Sequence, residues 1–133
     1  MAVTNKIPHR IIPGSGKLRG RILVPETGAM LYLNPVERTL YRLFLKHPEG
    51  ISSDELLLHW KELCRIYSKE ALYDDADLRE SAIESLCAES KTVFYSTVSR
   101  IKKKFVTALG ARKAQPYIIR RDKHGLYKTR ATG

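Results

Sequence analysis

The strongest constraint on the fold is an amphipathic segment at residues 91–109. Apolar side chains recur there every three or four residues, the spacing that places them on one face of an α-helix: Phe94, Val98, Ile101, Phe105 and Leu109. The other side of the helix carries hydroxyl-bearing and cationic side chains: Thr92, Ser96, Ser99, Arg100, Lys102 and Lys103. Gly110 favours an end to the helix, because glycine tolerates positive φ. The pattern predicts a helix that is apolar behind and basic in front.

Two interpretations of this helix stay open on its own sequence. An exposed basic face of this kind suits a helix that lies in the major groove of DNA. An ordinary solvated surface helix that is rich in lysine would show the same pattern.

The distribution of charge favours an anionic partner. The 133 residues carry a net charge of +10. Residues 1–48 contribute +6, residues 49–90 contribute −7 and residues 91–133 contribute +11. Nucleic acid is the commonest partner of so basic a chain, and the basic end is expected to face its phosphates.

Other classes of protein lack support in the sequence. No apolar run is long enough to span a membrane and no secretory signal is present, so we expect a cytoplasmic protein. The two cysteines do not make a disulfide framework. The four histidines show no ligand spacing, and we expect neither a metal nor a cofactor. Nucleophile, phosphate-loop and metal motifs are incomplete or missing, and we expect no enzyme activity.

The remaining pattern predicts a mixed order of strands and helices. Residues 1–20 are expected to form a flexible basic arm, of a kind that can reach a minor groove, and residues 21–133 the folded domain. Residues 21–24 and 29–33 predict a hairpin. Asn34, Pro35 and Glu37 predict the start of a helix through a capping box.

Three further elements follow in the chain. Ser52 and Glu55 form a second capping signal, for a helix with Leu56, Leu57, Trp60, Leu63, Cys64 and Tyr67 on its buried side. An acidic helix is expected at about residues 78–88. After a basic loop at 111–115, residues 116–121 and 126–129 predict a basic hairpin that turns at residues 122–125.

This order resembles the winged-helix DNA-binding domain of the OmpR/PhoB type, the output half of many bacterial response regulators. The similar segments are Leu-Asn-Pro-Val-Glu at 33–37, His-Pro-Glu-Gly at 47–50, Val-Ser-Arg-Ile-Lys-Lys at 98–103 and the closing hairpin at 117–127. The resemblance implies an α+β winged helix-turn-helix. Its three-helix core would carry an extra helix, an N-terminal hairpin and a C-terminal β-hairpin wing.

The resemblance also implies a site and partners. The helix at 91–109 would lie in the major groove of double-stranded DNA and the wing at 117–129 beside it, as in a transcription regulator. The residues expected on the DNA are Thr92, Ser96, Thr97, Arg100, Lys102, Lys103 and Lys104 on the helix, and Arg120, Arg121 and Lys123 on the wing. Arg100 is the expected base contact, because a guanidinium can pair with guanine by two bonds.

The sequence departs from the family in two places. Leu126 separates Gly125 from Tyr127, where the family has a Gly-Tyr pair, and the link at residues 68–90 is longer and acidic. In the family this link can meet RNA polymerase, so RNA polymerase or another protein is one interpretation of residues 68–90, and the alternative is that the link only pads the core. The alternative function is a winged-helix protein-interaction module that docks an acidic partner. No receiver domain is expected in the first twenty residues.

Overall fold

The fold combines α-helices with two small antiparallel sheets. The computed structural model describes residues 9–71 and 76–133, and all structural statements below concern those residues. The first sheet has the order β1-β2-β3 and the second has the order β4-β6-β5. Their strands are β1 (Ile12–Pro13), β2 (Arg21–Val24), β3 (Ala29–Tyr32), β4 (Ile51–Ser52), β5 (Arg120–Arg121) and β6 (Leu126–Lys128).

Five α-helices pack between and beside the sheets in the described residues. They are α1 (Pro35–Lys46), α2 (Trp60–Glu70), α3 (Ala76–Leu86), α4 (Thr92–Leu109) and the short α5 (Ala111–Ala114). The acidic helix expected near residues 78–88 is α3, and the long basic helix is α4. The loop expected at 111–115 is mostly helical, because Gly110 turns the chain at a φ of 84° and α5 begins at once.

The predicted flexible arm is ordered over the part that the structure describes. Ile11 is buried, and β1 pairs with β2 through Ile12 opposite Leu23. Arg10 forms a bridge with Thr132 near the other end of the chain. Residues 9–20 therefore belong to the folded body, because burying Ile11 and completing the edge of β2 outweigh the conformational entropy that the glycines lose on folding. Residues 1–8 of the arm lie outside the described residues.

The capping box of α1 forms as its sequence predicts. The backbone N–H of Glu37 donates to Asn34 Oδ1 at 2.9 Å, and the backbone N–H of Asn34 donates to Glu37 Oε1 at 2.9 Å. Pro35 lies in the first turn, where its missing N–H costs no hydrogen bond. The side chain of Glu37 is buried with 1% of its surface exposed, which places a carboxylate at the centre of the fold.

The second predicted helix differs from the expectation. The hydroxyl of Ser52 accepts from the backbone N–H of Asp54, but the residues that follow form a 3₁₀ segment, Ser53–His59, and α2 begins only at Trp60. Leu56 is buried whereas Leu57 is 58% exposed, so Leu57 was wrongly placed on the buried side. Three consecutive leucines cannot all lie on the same face of a helix. In the 3₁₀ segment only Leu56 of the three is directed into the core.

The second sheet joins the C-terminal hairpin to the region between α1 and α2. Ile51 lies opposite Tyr127, and Arg121 pairs with Tyr127 on the other edge of β6. The hairpin turn falls at residues 122–125 as expected. The first hairpin strand is shorter than expected, because Pro116 lies in a 3₁₀ turn, Gln115–Tyr117, and cannot donate to a ladder.

A buried ion cluster holds the end of α2 against α1. Arg38 Nε donates to Glu70 Oε2 at 3.0 Å, and Arg38 Nη2 donates to the Glu70 carbonyl at 2.7 Å. Arg42 forms a further ion pair with Glu70 from the more exposed side. The side chains of Arg38 and Glu70 are only 9% and 12% exposed, so each charge depends on its partner for stabilisation.

Replacing Glu70 tests how much this ion cluster contributes to the free energy of unfolding. Glu70→Gln leaves the buried guanidinium of Arg38 without a counter-charge, and we expect a loss of about 3 kcal/mol or more in the free energy of unfolding. Urea denaturation followed by circular dichroism measures it. The control is Arg42→Gln, because Arg42 is 39% exposed and its removal leaves the Arg38 pair intact. Its expected cost is about 1 kcal/mol. Equal losses in the two variants would contradict the assignment.

Candidate nucleic-acid interface

The outward face of α4 is a narrow stripe of hydroxyl-bearing residues that ends in a lysine. Thr92, Ser96, Ser99 and Lys103 follow one another at spacings of four, three and four, so they lie one above the other on the helix. Thr92, Ser99 and Lys103 are exposed, and Ser96 is partly exposed. Ser96 Oγ donates to the Val93 carbonyl at 3.1 Å, which leaves its lone pairs available to an outside donor. Ser99 was not among the expected contacts, although its spacing signals it.

Thr97 does not lie on this face, and its assignment as a DNA contact is corrected. Its surface is fully buried, and Thr97 Oγ1 donates to the Val93 carbonyl one turn earlier at 2.6 Å. The core stripe of α4 therefore uses Thr97 beside Phe94, Ile101 and Phe105. A threonine whose hydroxyl bonds the preceding turn presents only its methyl group to the core, so burial leaves no polar atom unpaired.

One flank of α4 lies over the buried carboxylate of Glu37. Lys104 forms an ion pair with Glu37 Oε1, and Arg100 Nε lies 3.5 Å from Glu37 Oε2. The ammonium of Lys104 also lies 5.7 Å from the centre of the Tyr32 ring on β3. Lys104 is thus directed inward to α1 and β3, which departs from the DNA contact expected of it. Arg100 keeps 53% of its side chain exposed, and its guanidinium lies at the rim of the outward face.

The other flank of α4 is joined to the hairpin by aromatic rings. Phe94 and Tyr127 meet edge to face with ring centroids 5.0 Å apart, and Tyr95 lies 6.4 Å from Tyr127. Tyr95 packs in this way while 47% of its surface stays exposed. The contacts fix strand β6 beside the first turns of α4.

The hairpin presents its two expected arginines to different sides. Arg121 lies opposite Tyr127 and Arg120 lies opposite Lys128, and cross-strand partners share a face of the sheet. Arg121 is therefore on the side that faces α4, whereas Arg120 is on the far side, where its Nη1 donates to Gln115 Oε1 at 3.4 Å. Lys123 is exposed at the turn. The hairpin thus places Arg121 on the side of α4 and Arg120 on the opposite side, with Lys123 at the turn between the two strands.

Asp122 organises the turn of the hairpin. Its Oδ1 accepts hydrogen bonds from the backbone N–H groups of His124 at 2.8 Å and Leu126 at 2.9 Å. Its Oδ2 lies 3.0 Å from the ammonium of Lys128. The hydrogen bond from Leu126, followed by that from Lys128, lowers the pKa of Asp122 to about 2. The one acidic side chain in residues 91–133 therefore supports the basic hairpin.

Several cations of this surface have no acidic partner within the described residues. No carboxylate oxygen described there lies within 4.0 Å of Lys102, Lys103, Arg121 or Lys123. Each of them is exposed. An uncompensated positive patch of this kind attracts phosphate groups at long range.

A separate cluster of polar groups was missed by sequence reasoning. His47 and His59, which are twelve positions apart, have ring centroids 4.7 Å apart, and both contact Glu62. Partial burial alone would lower the pKa of His47, but hydrogen bonds with Glu62 and Glu49 outweigh it and raise that pKa. His59 and Glu62 are three positions apart and meet locally, but His47 joins them only because α1 ends beside the start of α2.

Comparisons with known proteins add no identification. No protein-family model, curated protein or solved structure matches the chain. None of the helices in residues 9–71 and 76–133 combines the length with the apolar character that crossing a bilayer requires.

Removing the Asp122 carboxylate tests its role in the hairpin. Asp122→Ala takes away both turn hydrogen bonds, so we expect the amides of His124 and Leu126 to exchange with solvent about five- to tenfold faster, as measured by NMR. Asp122→Asn keeps an oxygen acceptor, and its exchange should stay close to wild type. Because the carboxyl pKa is lowered, its contribution is present above the unfolded value of 3.8 and is lost as pH falls towards 2. An unchanged rate in the alanine variant would contradict this role.

Proposed function

We propose that this chain is a winged helix-turn-helix domain that binds double-stranded DNA in a sequence-specific manner, as a transcription regulator of the OmpR/PhoB type does. The observation that carries the proposal is the outward stripe of α4, which is exposed and lies beside a basic hairpin. In this assignment α4 is the recognition helix and the hairpin of β5 and β6 is the wing.

The connectivity supports this assignment. In the proposed winged helix, α1 leads through β4 to α2, α3 is the extra helix, and α4 is followed by the two wing strands. The pairing of Ile51 with Tyr127 attaches the wing to the strand between α1 and α2. The ring contact of Tyr127 with Phe94 attaches the same wing to α4. Helix and wing are thus held in one orientation, which a two-part contact with a duplex needs.

Different cations take different roles in the proposed complex. Lys102 and Lys103 have no acidic partner in the described structure, and a flexible ammonium suits phosphate, so they set affinity and register. Arg100 is the proposed base contact. Its Nε faces Glu37 and its Nη2 lies 3.5 Å from Thr97 Oγ1, so Nη1 is directly available to a guanine edge and Nη2 joins it only by exchanging its weak contact with Thr97. Thr92, Ser96 and Ser99 supply hydroxyl groups along the same stripe, and Arg121 and Lys123 supply the wing contacts.

A protein partner is the second candidate, and exposed leucines favour it. Leu58 is 80% exposed and Leu78 is 61% exposed, in the part of the chain where acidic residues dominate. Large apolar side chains are often buried by a partner when they lie within a polar rim. RNA polymerase or another protein is the partner proposed for residues 68–90, and a docking module without DNA affinity is the alternative function.

Lys103 tests the phosphate role. Lys103→Ala should weaken binding to every duplex by a similar factor and reduce the slope of log affinity against log salt by about 1. Fluorescence anisotropy with a labelled random duplex at several salt concentrations measures both. Arg65→Ala is the matched control, because Arg65 is an exposed cation on α2 and not on α4 or the wing. If both variants lose affinity equally, the footprint is not the one proposed.

Arg100 tests the recognition role. After a preferred site has been selected from random oligonucleotides, Arg100→Ala should cost about 1–3 kcal/mol on that site and relax the preference at one base position. Binding to random duplex should change much less. A lack of measurable affinity of the wild-type chain for any duplex at low salt would refute DNA binding and favour the protein-docking alternative.

A further inference from the structure

We propose that His47, His59 and Glu62 form a binding site for one divalent transition-metal ion, for which zinc is the best fit. Their ligand atoms all lie within 4.8 Å of one another. The site uses none of the residues assigned to DNA, so it stands or falls independently of the proposed function.

The donor atoms lie near the separations that ligands have around a tetrahedral ion, with all three within 4.8 Å of one another. Glu62 Oε1 lies 2.8 Å from His47 Nε2 and 3.3 Å from His59 Nδ1. Ligands about 2.0–2.1 Å from zinc in a tetrahedron are roughly 3.3 Å from one another. The Glu62–His59 separation fits this value, whereas the oxygen of Glu62 and Nε2 of His47 would move apart by about 0.5 Å to admit an ion.

A fourth residue prepares His47 to act as a ligand. Glu49 Oε2 lies 3.1 Å from His47 Nδ1, on the ring edge opposite to Glu62. A carboxylate on one ring nitrogen fixes the proton there and leaves the other nitrogen as a lone pair for a metal. His47 Nε2 now contacts Glu62 Oε1 at 2.8 Å, and a bound ion would replace that contact while Glu49 holds the proton on Nδ1.

The backbone holds the ligands on ordered elements. His47 directly follows the last residue of α1 and its N–H donates to the Phe44 carbonyl, His59 ends the 3₁₀ segment, and Glu62 lies in the first turn of α2. Sites on such elements are better defined than sites on loops. A bound ion would cross-link the end of α1 to the start of α2.

The donor set and the exposure identify the class of ion. Two imidazoles and one carboxylate suit zinc and its neighbours in the first transition row, whereas magnesium and calcium prefer oxygen ligands throughout. The three side chains are 22%, 24% and 26% exposed, which gives an ion access and leaves room for water as a fourth ligand. The carboxylates of Glu62 and Glu49 balance the two positive charges.

Metal titration of the full chain tests the proposal. After treatment with a chelator, isothermal titration calorimetry with zinc ions alone should show one ion bound per chain, and a hundredfold excess of magnesium should not displace it. Cobalt(II) should give the visible absorption of a four-coordinate site. His59→Gln should weaken zinc binding by more than about 100-fold, beyond the range typical of an outer partner. Glu49→Gln, whose side chain is 68% exposed, should weaken it by about tenfold.

The matched control is His124→Gln, which removes an exposed histidine from the hairpin turn and should leave zinc affinity unchanged. Circular dichroism checks that each variant keeps its helices. Should His59→Gln fail to fold, the Glu49→Gln variant decides, since its carboxylate lies at the surface. The proposal is overturned if the wild type binds less than one zinc ion per chain, or if the folded cluster variants bind zinc as tightly as His124→Gln does.

Discussion

The buried carboxylate of Glu37 is the constraint around which the rest of the structure is arranged. A carboxylate with 1% of its surface exposed is tolerable only when hydrogen bonds and opposite charge replace the lost water. The backbone N–H of Asn34 and the positive end of α1 supply part of that compensation. Lys104 on α4 pairs with Oε1, whereas Oε2 makes no hydrogen bond and has the guanidinium of Arg100 as its counter-charge. These ion pairs join α4 to α1 alongside the ring contacts of Phe44 with Phe94 and of Tyr41 with Phe105.

This arrangement connects stability with the proposed recognition. Arg100 is held by Glu37 on one edge and approached by Thr97 Oγ1 at 3.5 Å, so its side chain has fewer conformations open to it than a free surface arginine. A restricted guanidinium loses less entropy when it binds a base edge. The same carboxylate reduces the positive potential near Arg100, so the affinity of the proposed complex would come mainly from Lys102, Lys103, Arg121 and Lys123, which have no acidic partner in the described residues.

The sequence predicted the features that short-range chemistry determines. The capping box at Asn34, the hairpin turn at Asp122 and the amphipathic character of α4 all depend on residues within a few positions of one another. The prediction was wrong for Thr97, which was expected on the DNA. Thr97 and Val98 are adjacent at the edge of the core stripe of α4, and only Thr97 is fully buried. The prediction also failed for contacts between distant positions, such as Lys104 with Glu37, which are 67 residues apart.

The amino-acid composition overestimates the number of cations that are free to bind a partner, because it does not show which of them form ion pairs within the fold. Residues 91–133 carry twelve basic side chains and one acidic one, yet Lys91 pairs with Asp54, Lys104 pairs with Glu37 and Lys128 pairs with Asp122. Those ion pairs fix α4 and the hairpin in place, and only the cations beyond them are available to phosphate. The basic side chains of this segment therefore fall into two groups: those that form ion pairs within the fold, and those that have no acidic partner in the described residues. The first group can be told from the second only when the partners of each side chain are known, because one residue type performs both tasks.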